Sequence, residues 1–266
     1  MKALIGLLIM PFRIRIFRPD QVFRNKRVAL VGPADSAYEE QNGAFIDDFD
    51  YVIRMNKVLV TWDKNSEQYL GQRTDVLFHS FYENMDSGGG GPLDWELFNK
   101  FGVRYLVQPR FDKVGLRLMF NYFKKYLNTH EIIYVFPRNY YQGIISKFKK
   151  YHPTRGFYAL YSVLTTACSE VFITGFTFFK TPYAKGYRDN IQDSNSSREH
   201  ILDQGLHDID LEYSFFQNLL INTEIKSVFV DDKLFDILKH DSVELANKVK
   251  KMRSSREDRV ENRKLG

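Results

Sequence analysis

The sequence predicts an α/β fold in which a mostly parallel central sheet is covered by helices on both faces. Its short apolar runs are continuous rather than alternating, as expected for strands buried on both sides. Helix-like segments separate these runs, and no repeat or linker divides the 266 residues, so we expect a single domain with one large core. The predicted strands are Arg27–Gly32, Tyr51–Arg54, Asp75–Phe78, Val103–Gln108, Ile132–Phe136, Val171–Gly175 and Ser227–Val230.

Both ends of the chain differ from this predicted core, which runs from residue 27 to residue 230. Residues 1–12 are apolar but contain Pro11 and precede Arg13, and they fall short of the about 20 apolar residues that span a bilayer. They are expected to form a packed strand or an interfacial segment, whereas residues 232–266 form a basic helical tail. The predicted helices are Leu93–Phe101, Leu116–Leu127, Tyr140–Tyr151, Gly156–Cys168, Leu211–Ile221 and Asp232–Lys251.

The composition excludes several classes of protein. Thirty-eight basic and 33 acidic residues give a net charge of +5. Because both kinds of charge are mixed along the chain, nucleic-acid binding is disfavoured, while anionic partners remain an alternative. The single cysteine, Cys168, excludes a disulfide-stapled fold and a cysteine-rich zinc module, and it favours a reducing compartment. No carboxylate pair stands out as a glycoside hydrolase would require.

A short turn and a polar residue follow the first two strands of the predicted core. Gly32, Ala34 and Asp35 form the turn after the first strand, and Asn56 follows the second. Ligands of open parallel sheets bind at these carboxyl ends. The turn lacks both the G-x-G-x-x-G pattern of dinucleotide sites and the Gly-Lys-Ser/Thr of a P-loop, so we expect a nucleotide site of another kind.

Further polar blocks follow along the chain. His152-Pro153-Thr154-Arg155-Gly156 precedes a helix, which would offer free backbone N–H groups to an anion. Gly175-Phe176 ends a buried strand, Gly186 to Asn190 forms a polar turn, and His207 to Tyr213 leads into an amphipathic helix. A lone histidine before a helix is more often a capping or surface residue than a base.

In this order the blocks resemble the four sialyl motifs of glycosyltransferase family 29, the animal-type sialyltransferases, and we expect a bacterial-type member. The large motif, with C-A-V-V-G-N-S-G and D-x-x-D-x-V-x-R-M-N, has its counterparts in Val28–Asp35, Asp47–Asn56 and Gly71–Asp75. The small motif, P-S-T-G through C-D-E-V to Y-G-F, corresponds to Pro153–Phe176. The third, H-Y-x-E, falls at Gly186–Asp189, and the very small one, H-x4-E, falls at His207–Glu212.

The resemblance implies a Rossmann-like, modified GT-A fold and an inverting transfer from a CMP-activated sugar to a saccharide hydroxyl, without a metal cofactor. The donor sugar is sialic acid or a related 2-keto sugar acid such as Kdo. His207 is implied as the general base and Glu212 as an orienting carboxyl, while Asp48 and Asp50 imitate a metal-binding D-x-D but are expected to be structural. The CMP-sugar is expected to contact Gly32, Ala34, Asp35, Asn56, Thr154, Arg155, Gly156, Gly175, Phe176, Tyr183 and Arg188.

Three residues depart from the family pattern. Val28 stands where the family has a cysteine, so the disulfide between the large and small motifs cannot form and Cys168 is expected to be a packed thiol. Pro33 replaces the asparagine and Gly186 the histidine that the family would direct at the nucleotide and its leaving phosphate. Tyr187 is our first choice for the missing catalytic group, with Tyr183, Lys185 and Arg188 beside it; packing aromatics and solvated loop charges are the alternative.

The departures leave two functions open: a transferase, and a catalytically retired protein of the same fold that binds CMP or a glycan. Acceptor choice is expected to lie in the loops Ser87–Pro92 and Asp193–Arg198. We expect a cytoplasmic location, with a peripheral contact between the basic tail and an anionic membrane left open. A Golgi lumen is the alternative if this sequence lacks its anchor.

Overall fold

The computed structural model describes residues 1–85, 90–187, 198–199 and 205–252. Within them, nine strands form one sheet in the order β1-β6-β5-β4-β3-β2-β7-β8-β9, and all neighbouring strands pair in parallel. The predicted α/β class with a mostly parallel sheet is confirmed. The strands are β1 Ile14–Ile16, β2 Arg27–Val31, β3 Tyr51–Met55, β4 Val76–Phe78, β5 Tyr105–Gln108, β6 Ile133–Val135, β7 Glu170–Thr174, β8 Val228–Val230 and β9 Lys250–Lys251.

Helices cover both faces of this sheet. The central strands are continuously apolar because each face meets its own core: Leu30 packs into one cluster and Ala29 into another, and both are fully buried. The helices are α1 Lys2–Arg13, α2 Pro19–Val22, α3 Gly43–Asp47, α4 Glu67–Leu70, α5 Trp95–Lys100, α6 Lys113–Lys125, α7 Arg138–Ile145, α8 Arg155–Leu164, α9 Ile209–Asn222, α10 Asp232–Asp241 and α11 Val243–Lys248.

The amino-terminal segment is helical, so of the two alternatives predicted for residues 1–12 the packed strand is wrong, while the interfacial segment stays a prediction. Helix α1 packs closely on α6, where a Cβ at Gly6 would lie 2.9 Å from the backbone nitrogen of Lys124. Pro11 sits in the last turn, and extended backbone begins only at Ile14, which pairs with Ile133 at the sheet edge. No helix within the described ranges is long and apolar enough to cross a membrane.

The carboxyl-terminal region also differs from its prediction as one helix, Asp232–Lys251. Helix α10 ends at Asp241 because Ser242 has extended backbone, and the Ser242 hydroxyl accepts a hydrogen bond from Glu244 N at the start of α11. Lys250 and Lys251 then pair with β8. The sheet therefore extends beyond the predicted core, and the rest of the basic tail, residues 253–266, lies outside the described residues.

The connection order creates a switch point between β2 and β7. From β2 the chain adds β3, β4, β5 and β6 towards one edge, and β7 then returns to the other side of β2. The turns that follow β2 and β7 touch: Gly32 N donates to Thr174 O at 2.8 Å, and Ala34 N donates to Gly175 O at 3.1 Å. Ligands of open α/β sheets bind outside the strands' carboxyl ends at such a point.

Candidate active site

A cavity of about 650 Å³ opens at this switch point. Its volume lies within the roughly 300–1,000 Å³ typical of small-ligand sites. The turns after β2, β3 and β7 form one side, and the beginnings of α8 and α9 form the other. Eleven residues predicted from the sequence line it together: Ala34, Asn56, Thr154, Arg155, Gly156, Gly175, Phe176, Tyr183, Tyr187, His207 and Glu212.

Two predicted residues lie behind the wall instead. A Cβ at Gly32 would come within 2.2 Å of the carbonyl oxygen of Gly175, so Gly32 permits the close crossing of the two turns. Asp35 accepts a hydrogen bond from Thr181 Oγ1 at 2.5 Å and does not line the cavity. The predicted Arg188 and parts of the loops Ser87–Pro92 and Asp193–Arg198 lie outside the described residues.

The ring of His207 is held in one tautomer. Its Nδ1 lies 2.5 Å from the backbone carbonyl oxygen of His152, and because a carbonyl can only accept, Nδ1 carries the proton and Nε2 the lone pair. The pKa of His207 is lowered to about 4, mainly by burial and also by the nearby positive charge of Arg155, although the hydrogen bond that Nδ1 donates to the carbonyl of His152 opposes this fall. His207 does not cap α9, because Asp208 does so by accepting from Leu211 N at 2.9 Å.

A buried carboxyl joins the beginnings of α8 and α9. Glu212 Oε1 accepts from the backbone nitrogen of Thr154 at 2.7 Å, and Oε2 lies 2.7 Å from Thr154 Oγ1. Burial raises the pKa of Glu212 to about 8, although the hydrogen bonds from Thr154 oppose this rise. At neutral pH the group is therefore mostly protonated. Its Oε1 is 4.0 Å from Nδ1 of His207, so the same carboxyl lies beside the histidine.

The start of α8 provides a positively charged wall. Thr154 caps the helix through a hydrogen bond from Phe157 N to its Oγ1 at 3.1 Å. Arg155, the next residue, lines the cavity, and its buried Nε has no hydrogen-bond partner among the described residues. Burial lowers the pKa of Arg155 to about 10, so the guanidinium remains charged at neutral pH. A buried donor without a partner on a cavity wall fits an anionic ligand.

Arg110, Arg117 and His152 extend this wall. His152 stands in a predicted polar block, but none of the three was predicted as a site residue. Arg110 Nη2 lies 2.5 Å from Asp112 Oδ2 and 3.4 Å from Nε2 of His152. Because the guanidinium can only donate, the other nitrogen of His152, Nδ1, carries a proton, and it too is buried without a partner among the described residues. Arg110 follows a predicted strand, so the rule that selected Asn56 could have found it.

The side of the cavity formed by the turns after β3 and β7 is fixed by hydrogen bonds behind it. Asn56 has a φ of 52°, and its Oδ1 accepts from Ser80 N at 3.0 Å, which leaves the amide NH₂ group to serve as a donor. Asp231, another residue missed from the sequence, is buried. Its Oδ2 accepts from Gly175 N at 2.8 Å and from Thr174 Oγ1 at 2.9 Å, and this holds the turn after β7.

Two tyrosines occupy the region of the third motif. The rings of Tyr183 and Tyr187 stack with centroids 5.1 Å apart, and both residues line the cavity. The two rings therefore pack against each other and face the cavity at once. Gly186, with a φ of 86°, and Lys185 are exposed and do not line the cavity.

The carboxylates that imitate a D-x-D lie at the opposite end of the sheet. Asp48 Oδ2 is 3.0 Å from Arg27 Nη1, and Asp50 Oδ2 accepts from Arg27 N at 2.8 Å, at the start of β2. In the described ranges, no group of three or more His, Cys, Asp or Glu residues is arranged to hold a metal ion. Cys168 is buried, and its thiol contacts the carbonyl oxygen of Val163.

A family model described as glycosyltransferase family 29 (sialyltransferase) matches residues 103–223, which hold the small, third and very small motif blocks. The chain is a glycosyltransferase related to family 29. The resemblance predicted from the motif order is thereby confirmed. No curated protein sequence matches the chain.

Solved structures show that this glycosyltransferase shares a fold with sialyltransferases. A mammalian sialyltransferase in complex with Gal-β-1-3GalNAc-ortho-nitrophenol is 18% identical, and the match covers 84% of this chain and 78% of that one with a TM-score of 0.51. A second mammalian sialyltransferase structure is 16% identical, with coverage of 85% and 78% and a TM-score of 0.50.

Proposed function

We propose that this glycosyltransferase moves sialic acid, or a related 2-keto sugar acid such as Kdo, from a CMP-activated donor to a saccharide hydroxyl with inversion. The observation that carries the proposal is the neutral His207, held by the carbonyl of His152 on the wall of a cavity at the switch point. The family match supports a CMP-sialic acid donor.

His207 is the proposed general base. The acceptor oxygen attacks the anomeric carbon while the bond from that carbon to the phosphate oxygen breaks, and CMP leaves with the electron pair. Nε2 of His207 takes the hydroxyl proton, on the side of the sugar opposite CMP, so the configuration inverts. A pKa of about 4 makes a weak base, but the donor's carboxylate and phosphate would raise the pKa of His207 towards the working pH.

Arg155 and the capped start of α8 are proposed to bind the donor's carboxylate or phosphate. The unpartnered Nε of Arg155 and Nδ1 of His152 support this, because both are donors on the cavity wall. Asn56 is proposed to donate to the nucleotide, and Tyr187, with Tyr183 stacked on it, to the leaving phosphate. Positive charge from the protein would then stabilise the leaving group, so we propose that no metal is required.

Calorimetric binding of CMP, with CDP, UDP and GDP as controls, tests the donor class before any acceptor is known. Selective binding of CMP is expected, and Arg155→Met should weaken the binding of CMP-sialic acid or CMP-Kdo. Equal binding of all four nucleotides would refute a cytidine-specific donor site.

The alternative, a retired CMP- or glycan-binding protein, is favoured by Pro33 and Gly186, which replace an asparagine and a histidine of the family pattern. An assay of turnover distinguishes the transferase from the binding protein. Selective CMP binding without release of CMP from either donor, across a panel of saccharide acceptors, would favour the retired protein over the transferase.

A further inference from the structure

The outward face of α1 is apolar and exposed. Leu4 is 63% exposed, Leu8 61% and Phe12 73%, and Leu7 is 57% exposed beside them. These positions recur at intervals of three and four residues, so they form one stripe along the helix. Soluble surfaces rarely carry so many large apolar side chains together, and such a stripe marks a contact surface.

The opposite face of α1 is locked onto the domain. Gly6 is buried against the backbone of α6, and Ile9 and Met10 pack against the core cluster that includes Met119 and Phe123. Helix α1 therefore cannot roll inward to hide its apolar stripe without losing these contacts. The stripe is a fixed part of the surface.

The amino-terminal segment that carries the stripe is basic. Residues 1–19 contain four basic residues and no acidic one, and the same holds for the neighbouring helix α6. Of the α6 residues, only Lys125 has an ion-pair partner among the described residues, Glu83 at 2.7 Å. The basic residues of the two segments are Lys2, Arg13, Arg15, Arg18, Lys113, Arg117, Lys124 and Lys125.

An apolar stripe on a segment with basic and no acidic residues complements the surface of an anionic membrane. The 12 residues of α1 reach about 18 Å, which is short of the hydrocarbon thickness of about 30 Å, so the helix fits the plane of the interface rather than a span. We infer that α1 docks this protein on an anionic lipid bilayer, with Leu4, Leu7, Leu8 and Phe12 in the acyl boundary and the basic side chains of residues 1–19 near the headgroups. The inference does not depend on the proposed donor.

Sedimentation with sucrose-loaded vesicles tests this surface. The full chain should bind vesicles of phosphatidylcholine with 30% phosphatidylglycerol, and binding should weaken at least tenfold in pure phosphatidylcholine. Leu4→Ser/Leu8→Ser/Phe12→Ser should weaken binding to the anionic vesicles at least tenfold, since each side chain contributes through buried apolar area. Val243→Ser is the matched control, because Val243 is 71% exposed on α11, and it should bind as the parent does.

Two outcomes would overturn the inference. If the triple variant keeps its thermal midpoint and still binds anionic vesicles like the parent, another surface, such as the basic tail, makes the contact. If the parent does not bind vesicles, and light scattering shows that the parent is a dimer and the triple variant a monomer, then the stripe is a protein interface. A second charge variant, Lys2→Gln/Arg15→Gln, changes two exposed residues of the segment that carries the stripe; it should retain the fold and weaken binding at least threefold at low salt, and no change would refute the role of its positive charge.

Discussion

The buried carboxyl of Glu212 makes a quantitative prediction about stability and pH. Its pKa is raised from 4.5 to about 8 in the folded protein, because burial disfavours the charged form. In the unfolded chain the group ionises near 4.5, so the folded state binds more protons across this interval. The stability associated with the neutral carboxyl is therefore fully present below pH 4.5 and is lost as pH rises through about 8.

Glu212→Gln removes the titration while keeping the shape and a neutral hydrogen-bonding group. A glutamine oxygen can accept from the backbone nitrogen of Thr154, and its NH₂ can donate to Thr154 Oγ1, so both contacts at 2.7 Å have a replacement. The interval between 4.5 and about 8, at about 1.4 kcal/mol for each pH unit, gives a maximum of about 5 kcal/mol. Relaxation around an ionised carboxyl reduces this figure, and we expect a relative loss of at least about 2 kcal/mol for the parent.

Urea unfolding followed by circular dichroism at pH 5, 6, 7 and 8 measures the difference between parent and variant. The free energy of unfolding of Glu212→Gln should increase relative to that of the parent each time the pH is raised. Glu244→Gln, at an exposed position on α11, serves as the control and should follow the parent at all four values. If the free energies of unfolding of the parent and Glu212→Gln stay parallel within about 0.5 kcal/mol, Glu212 is ionised in the fold and the reasoning fails.

Three further predictions concern the reaction and the turns beneath it. His207→Asn keeps a donor for the carbonyl of His152 but removes Nε2, so kcat should fall about 10²–10⁴-fold with CMP affinity unchanged. The control is His240→Asn, at an exposed histidine, which should keep full activity. A fully active His207→Asn would exclude His207 as the general base. Gly175→Ala places a Cβ 2.5 Å from Gly32 O at a φ of 72°, so the free energy of unfolding should fall by at least about 2 kcal/mol and CMP should bind more weakly. The control is Gly143→Ala in α7, whose Cβ meets nothing within 4 Å, and it should leave stability unchanged or raise it. Excess EDTA should leave the initial rate of transfer unchanged, and a loss that Mg²⁺ or Mn²⁺ restores would contradict metal independence.

The central sheet could be predicted from the sequence because burial on both faces produces continuous apolar runs. Each of the seven predicted strands overlaps an observed one, as at Arg27–Val31 and Glu170–Thr174. The edge strands β1 and β9 could not be predicted in this way, since Lys250 and Lys251 have no strand-like pattern and become extended by pairing with β8. Tertiary pairing decides such short elements.

The sequence predicted eleven residues of the cavity wall, but of the three arginines that line it among the described residues it predicted only Arg155. Arg110 and Asp231 follow predicted strands. Because ligands bind at the carboxyl ends of parallel strands, both residues could have been predicted in the same way as Asn56. Arg117 gives no such signal, because it is one basic residue on a basic helix and its position beside the cavity depends on how α6 packs. The unpartnered Nε of Arg155 is likewise a property of the packed structure.

The position of Asp231 sets a limit on how far the chain can be shortened. Its Oδ1 accepts from Leu234 N at 2.7 Å and begins α10, while its Oδ2 holds Gly175 on the cavity wall. One carboxyl thus connects the cavity wall to a segment that adds β9 to the sheet and buries Met252 in the core. A fragment ending at Val230 would lose the carboxyl that holds Gly175 at the cavity wall, and a fragment that also keeps β9 and the buried Met252 extends at least through Met252.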